Sequence, residues 1–238
     1  MVEISNLIKR YGKLEVLKGI DVNIQQGKVT SIVGPNGSGK TTIIKIILGL
    51  VKPDYGKISI KGENINGNYE YRNNIGYMPQ LASFPENLIV LEVINMVKDI
   101  RNNQPSFEDN YIKLFELSSE LTKPVKTLSG GTRQKLSAVI SLMFDPMILI
   151  FDEPTAGLDP VASSRFKNII QNEREKNKTI ILTSHIMSEI EELADEIIFL
   201  LDGKIYYQGS VTSLLLEKGE IKLENAVAKI LEENKIWN

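Results

Sequence analysis

Residues Val2 to Ile8 and Val16 to Ile24 alternate apolar and polar positions with the period of two that half-buried strands show. Turn-forming segments at Tyr11-Gly12-Lys13 and Gln26-Gly27-Lys28 break them. Val29 to Val33 is a short run rich in β-branched residues, as a buried strand should be, and Ile43 to Leu50 is apolar at helical length. Pro53 to Gly56 reads as a turn, Lys57 to Ile60 as a strand, and Ile75 to Met78 as a further short apolar segment ending at Pro79-Gln80. From Glu86 to about Phe144 the period changes. Val93, Val97 and Ile100 share one helical face, and Phe107, Tyr111, Leu114 and Phe115 share another, with a loop from Asn102 to Ser106 between them. This block predicts an inserted helical subdomain over about residues 86–144.

Alternation then resumes. Met147 to Phe151 is a fully apolar strand, followed by a helix from Val161 to Lys176, a strand from Thr179 to Thr183, a helix from Met187 to Ala194 and a strand from Glu196 to Leu201. Asp202-Gly203 makes a tight turn into Lys204 to Gln208. In the tail, residues 211–238, Val227, Ile230 and Leu231 recur at helical spacing and predict a helical tail packed on the body. Near-continuous apolar strands alternating with helices imply an α/β fold with a mainly parallel sheet covered on both faces. Ligands of such sheets sit outside the carboxyl ends of the strands.

Composition narrows the function classes. Of 238 residues, 42% are apolar and 24% charged, the values of a globular protein, and the net charge is −2. A near-neutral chain argues against non-specific nucleic-acid binding, which needs a strongly basic face. The chain has no cysteine, which excludes disulfides, thiolate metal sites and cysteine nucleophiles. The stretch Met1 to Ile4 lacks the basic start of a signal peptide, and no uncharged apolar run approaches the ~20 residues that span a bilayer. The expectation is a cytosolic or peripheral protein whose membrane part, if any, is another chain.

The first chemistry-bearing motif is Gly34-Pro35-Asn36-Gly37-Ser38-Gly39-Lys40-Thr41-Thr42. Its spacing G-x-x-x-x-G-K-[ST] is that of a phosphate-binding loop, and a strand precedes it and a helix follows. Glycines let successive N–H groups point at phosphate oxygens, and the helix N-terminus adds partial positive charge. Lys40 supplies a full charge for the β- and γ-phosphates, and the Thr41 hydroxyl suits a Mg²⁺ ligand. The motif implies a nucleoside triphosphate.

Four further sites fall at carboxyl ends of strands or at a helix start. Ile148 to Phe151 leads into Asp152-Glu153, a pair whose burial costs several kcal/mol unless a cation or a partner meets it. Asp152 would order the Mg²⁺ shell and Glu153 would polarise a water. His185, the chain's one histidine, follows the strand ending at Thr183, and Gln80 follows the strand ending at Met78, where its amide could reach Mg²⁺ or the attacking water. Ser129-Gly130-Gly131 precedes the apolar-periodic run Leu136, Val139, Ile140 and Met143; Ser129 is a good N-cap and the glycines expose N–H groups. This second anion-type site leaves two options: one chain binds two nucleotides, or one nucleotide is shared between two chains.

These elements in this order resemble the ATP-binding subunit of ABC transporters over Met1 to about Ser210. The resemblance implies a P-loop NTPase core with an N-terminal antiparallel β subdomain and the inserted helical subdomain. In its terms residues 34–42 are Walker A, Ile148 to Glu153 Walker B with the catalytic glutamate at Glu153, Ser129-Gly130-Gly131 the signature, Gln80 the Q-loop and His185 the switch histidine. Ala156-Gly157-Leu158-Asp159 looks like the D-loop, and Tyr11 occupies the place of the aromatic that stacks on adenine. The fifth signature position departs from the family: Thr132 stands where glutamine is commonest. It lies past the glycines that would face phosphate, so activity is expected to survive.

The resemblance also selects among the options for two anion sites. Family subunits dimerise head to tail, sandwiching two ATP with Mg²⁺ between the loop of one chain and the signature of the other, and closure drives a membrane permease from the cytoplasmic face. A homodimer, or a pairing with another ATPase subunit, is implied, with a permease docking near Leu81 to Leu91. Ser83 to Leu88 resembles ATPases serving ABC-2-type permeases, often exporters. Leu128 to Leu136 and Thr155 to Ala162 resemble ATPases of the copper-site maturation system of nitrous oxide reductase. A soluble ABC ATPase of translation or DNA repair is the alternative; such chains carry two domains or a long coiled-coil insertion, and neither pattern is present here.

Overall fold

The computed structural model describes residues 2–65, 67–102 and 105–234. Residues 103 and 104 of the expected 102–106 loop, and 235–238 of the expected tail, lie outside the described residues. The chain divides into two compact units, one of Met1–Tyr71 with Thr179–Asn238 and one of Arg72–Lys178.

In chain order, the first unit begins with β1 (Val2–Tyr11), β2 (Leu14–Ile24), β3 (Val29–Val33), α1 (Lys40–Ile47), β4 (Tyr55–Ile60) and β5 (Glu63–Asn64). The second unit carries β6 (Ile75–Met78), α2 (Val90–Ile100), α3 (Glu108–Leu114), α4 (Gly130–Leu142), β7 (Ile148–Asp152) and α5 (Pro160–Glu175). The chain then returns to the first unit with β8 (Thr179–Thr183), α6 (Met187–Leu193), β9 (Glu196–Leu201), β10 (Lys204–Ser210), α7 (Val211–Lys218) and α8 (Leu223–Glu233).

The alternating N-terminal segments form the expected antiparallel sheet, in the order β2-β1-β4-β5. The short apolar and β-branched runs pair in parallel: β3 lies between β8 and β9, and β10 closes that edge antiparallel to β9. Every residue of β3, β8 and β9 is buried, which is why these strands are rich in apolar and β-branched residues and show no regular alternation. In the second unit β6 and β7 pair in parallel, and all five residues of β7 are buried. Phe166 of α5 meets the Phe151 ring edge-on at 4.9 Å and lies 6.2 Å from the Phe115 ring, so one aromatic cluster ties β7, α5 and the end of α3 together.

Two helical faces differ from expectation. The buried side of α2 is Val90, Val93 and Ile94, while Val97 is half-buried and Ile100 is 71% exposed. In α3 the buried residues are Ile112 and, just past its end, Phe115; Phe107 and Leu114 are exposed and Tyr111 is half-buried. A helix of two turns with apolar residues at 107, 111, 112, 114 and 115 has more than one apolar stripe, and packing chooses between them. The displaced stripe instead lines a cavity of about 600 Å³ with Ile169 and Glu173 of α5.

The tail forms two helices. Gly219, at φ 64°, ends α7 in the left-handed conformation that favours glycine. Val211, Leu214, Leu223, Ala226, Val227 and Ile230 are buried against Ile190 of α6 and Ile197, Phe199 and Leu201 of β9. The tail therefore packs on α6 and β9 of the first unit.

Candidate active site

The first unit carries the phosphate-type loop and the histidine. Parallel register pairs Ile32 of β3 with Thr183 of β8, so residues 34–42 and His185 both leave the carboxyl edge of neighbouring strands. The loop turns into α1 at Gly39, whose φ of 112° excludes ordinary side chains; a Cβ there would lie 2.7 Å from Leu17 Cδ2. Pro35, Asn36 and Gly37 are exposed, Ser38 is buried, and Thr41 is exposed on the first turn of α1. First-turn N–H groups have no intrahelical acceptor, so the segment Lys40-Thr41-Thr42 offers donors and a positive dipole end in the place the motif requires.

Lys40 Nζ donates to the carbonyls of Gly34 at 2.7 Å and Pro35 at 3.0 Å, which folds the ammonium back over its own loop. A phosphate oxygen is a stronger partner for an ammonium than a neutral carbonyl, so the geometry fits a polyphosphate. The loop is braced from below: the Gly203 N–H donates to Ser38 O at 3.2 Å, and Gly203 O accepts from the Lys18 N–H at 2.9 Å. Tyr11, the last residue of β1, is half exposed, and Lys9 Nζ sits 5.3 Å from its ring centroid. His185 is exposed beside a turn in which Ser184 Oγ accepts from the Ile186 N–H at 3.0 Å.

The second unit carries the acids, the glutamine and the signature-like helix start. Gln80 and Glu153 follow β6 and β7, and Gln80 Nε2 donates to Glu153 Oε2 at 2.8 Å. Glu153 adopts φ 51°, a conformation uncommon for a residue with a side chain, immediately after a fully buried strand. Strain of this kind, of order 1–3 kcal/mol, persists where the surroundings over-determine a functional group. Asp152 is 6% exposed, and its charge adds to burial in pushing the Tyr77 hydroxyl up to about 12. Asp152 offers hard oxygen donors of the kind that Mg²⁺ takes.

At the start of α4, Ser129 Oγ accepts from the Thr132 N–H at 3.1 Å, the N-cap the sequence indicates. Ser129 and Gly130 are exposed, and a Cβ at Gly130 would meet nothing within 4 Å. Gly131 has a different reason to be glycine: a Cβ there would lie 2.7 Å from Gly157 O. The signature-like turn and the 156–159 loop thus touch backbone to backbone. Asp159 caps α5 through the Ala162 N–H at 2.8 Å, and its other oxygen pairs with Lys135 Nζ of α4 at 2.9 Å. The Lys135 ammonium, with the Ala162 N–H second, holds the Asp159 carboxyl below its ordinary range. Lys135 went unrecognised as a site element in the sequence. Thr132 left a trace there only as a departure from the family pattern, and Gly157 only as part of the segment resembling the D-loop.

The family model described as ABC transporter matches residues 17–156, more than half of the chain. Over 216 residues the chain is 37% identical to the lantibiotic transport ATP-binding protein SrtF of Streptococcus pyogenes, covering 88% of this chain and 93% of that protein. It is 36% identical over 209 residues to the bacitracin transport ATP-binding protein BcrA of Bacillus licheniformis, covering 86% of this chain and 68% of that one. Among solved structures, an ATP-binding subunit of an ABC transporter superposes with a TM-score of 0.87 at 26% identity, over 97% of this chain and 99% of that one. A dimeric ATP-binding cassette in a post-hydrolysis state with ADP and Pi superposes with a TM-score of 0.78 at 26% identity, over 89% and 99%. The chain belongs to the ABC transporter family, and it is that family's ATP-binding, ATP-hydrolysing cassette.

Proposed function

We propose that this chain energises a separate integral membrane permease, hydrolysing MgATP at sites shared head to tail between two copies or between it and a paired ATPase subunit. The observation that carries the reading is the exposed helix start at Ser129 and Gly130, a second anion-type site in a chain that already has a phosphate loop. A nucleotide held by the loop of one copy and capped by the signature of another accounts for both with one ligand. Among the described residues no helix is long and apolar enough to cross a membrane. The proposal therefore assigns the membrane-spanning part to the partner and makes this chain peripheral at the cytoplasmic face.

The roles follow from donor chemistry. Residues 34–42 bind the phosphates, Lys40 neutralises charge on the β- and γ-oxygens, and Tyr11 stacks on the base. Thr41, Gln80 and Asp152 would hold Mg²⁺, which, when bound, lowers the charge on the transferred phosphoryl group. Glu153 takes a proton from water as the water oxygen bonds to the γ-phosphorus and the bond to the β,γ-bridging oxygen breaks. Gln80 orients the Glu153 carboxylate through their hydrogen bond. His185 contacts the γ-phosphate, Ser129, Gly130 and Gly131 cap it from the partner copy, and Asp159 belongs to the loop that crosses between copies.

Ser83 to Leu88 supports a permease of the ABC-2 type, docked near Leu81 to Leu91, where Leu81 is 84% exposed. Relatives named for lantibiotic and bacitracin transport support transport over copper-site maturation, and a relative named for Nod factor export supports export. The test is co-expression of the full chain with a candidate six-span permease and purification from detergent-solubilised membranes. The expected result is a stoichiometric complex whose ATPase rate differs from that of the free chain. Co-sedimentation with ribosomes or DNA, and no permease association, would replace the proposal with the soluble reading.

A further inference from the structure

We propose that Thr132 is a positioning residue that turns the Ser129 hydroxyl proton outward, toward the phosphate of a nucleotide held by a second copy of the chain. The inference rests on the reading above, in which Ser129 faces ATP. A serine oxygen has two lone pairs and one proton. The Thr132 N–H donates to Ser129 Oγ at 3.1 Å, and Thr132 Oγ1 lies 2.8 Å from the same oxygen. When the threonine hydroxyl also donates, one residue occupies both lone pairs, and the Ser129 proton must find its acceptor elsewhere. Ser129 and Gly130 are exposed and Gly130 borders open space, so that acceptor comes from outside the turn.

A phosphate oxygen accepts hydrogen bonds and donates none, so only a serine that donates can bind it. The reverse proton order, Ser129 donating to Thr132, would point the proton inward and spend the hydroxyl on its own helix. Thr132 therefore decides whether Ser129 is a phosphate ligand or only an N-cap. This gives a physical role to the threonine that stands where the family most often has glutamine.

Thr132→Val keeps the N–H and the branched side chain and deletes only the hydroxyl, whereas Thr132→Ser retains it. ATP hydrolysis by the full chain should show KM for ATP raised about threefold to tenfold in Thr132→Val, the size of one neutral hydrogen bond, with kcat changed less. Thr132→Ser should stay within about twofold of the unmodified chain. Thermal unfolding of each variant separates a folding defect from a kinetic one, and Thr132→Ala serves if the valine variant does not fold. A lowered KM would show that the threonine holds the Ser129 proton inward, which overturns the proposal; an unchanged KM overturns it too. Ser129→Ala, measured alongside, distinguishes the levels. If it leaves KM and kcat unchanged, the reading of Ser129 as a nucleotide contact fails. If it impairs hydrolysis while Thr132→Val does not, only the role of Thr132 fails.

Discussion

Glu153→Gln should keep ATP binding and lower the hydrolysis rate by about 10²–10⁴-fold, the usual contribution of a positioned general base. The substitution is isosteric, so the Gln80 side chain still meets a carbonyl-type oxygen where it now meets Glu153 Oε2 at 2.8 Å. What is lost is the ability to accept a proton from water, because an amide oxygen is a far weaker base than a carboxylate. Binding without turnover should accumulate the ATP-bound dimer, visible as a doubled mass by light scattering when ATP is added. Steady-state hydrolysis at the unmodified rate would remove Glu153 from the general-base role. Its left-handed backbone would then need another explanation.

Lys40→Ala should weaken ATP binding by about 10- to 100-fold, the range for losing a charge-assisted hydrogen bond of ~1.5–3 kcal/mol. In the structure the ammonium is satisfied by the carbonyls of Gly34 and Pro35, so its removal leaves no buried charge and the fold should hold. Calorimetric titration with ATP checks the affinity, and a thermal melt checks the fold. Unchanged affinity in a folded variant would contradict the assignment of residues 34–42 as the phosphate cradle. The two substitutions separate cleanly: one acts on binding, the other on the chemical step.

The sequence was most legible where one local pattern admits one structure. The short apolar and β-branched runs at Val29–Val33, Ile148–Asp152 and Thr179–Thr183 read as buried parallel strands, and the glycine-rich loop between β3 and α1 carries its own geometry. Legibility fell where the outcome depends on residues distant along the chain. Nothing near Ile100 or Leu114 says that these residues stay exposed while Ile112 is buried and Phe115 is buried beside Phe166 of α5. Nor does the local sequence reveal that Gly131 is required by the Gly157 carbonyl or that Lys135 reaches Asp159, contacts between segments more than twenty residues apart. The break in the tail was available: Lys218-Gly219 after an apolar-periodic run is a standard helix C-terminus. The strain at Glu153 was not, since no residue-type preference marks a glutamate for positive φ.

Both halves of the proposed site meet in one claim, that the loop of one copy works with the signature of another. Mixing Ser129→Arg chains with Lys40→Ala chains tests it directly, because a heterodimer of the two carries one composite site with both defects and one with neither. The account predicts that the mixture hydrolyses ATP faster than either variant alone, approaching half the unmodified rate per heterodimer where the two sites work independently. Hydrolysis no faster than that of either parent, in a mixture shown to contain heterodimers, would contradict the shared site.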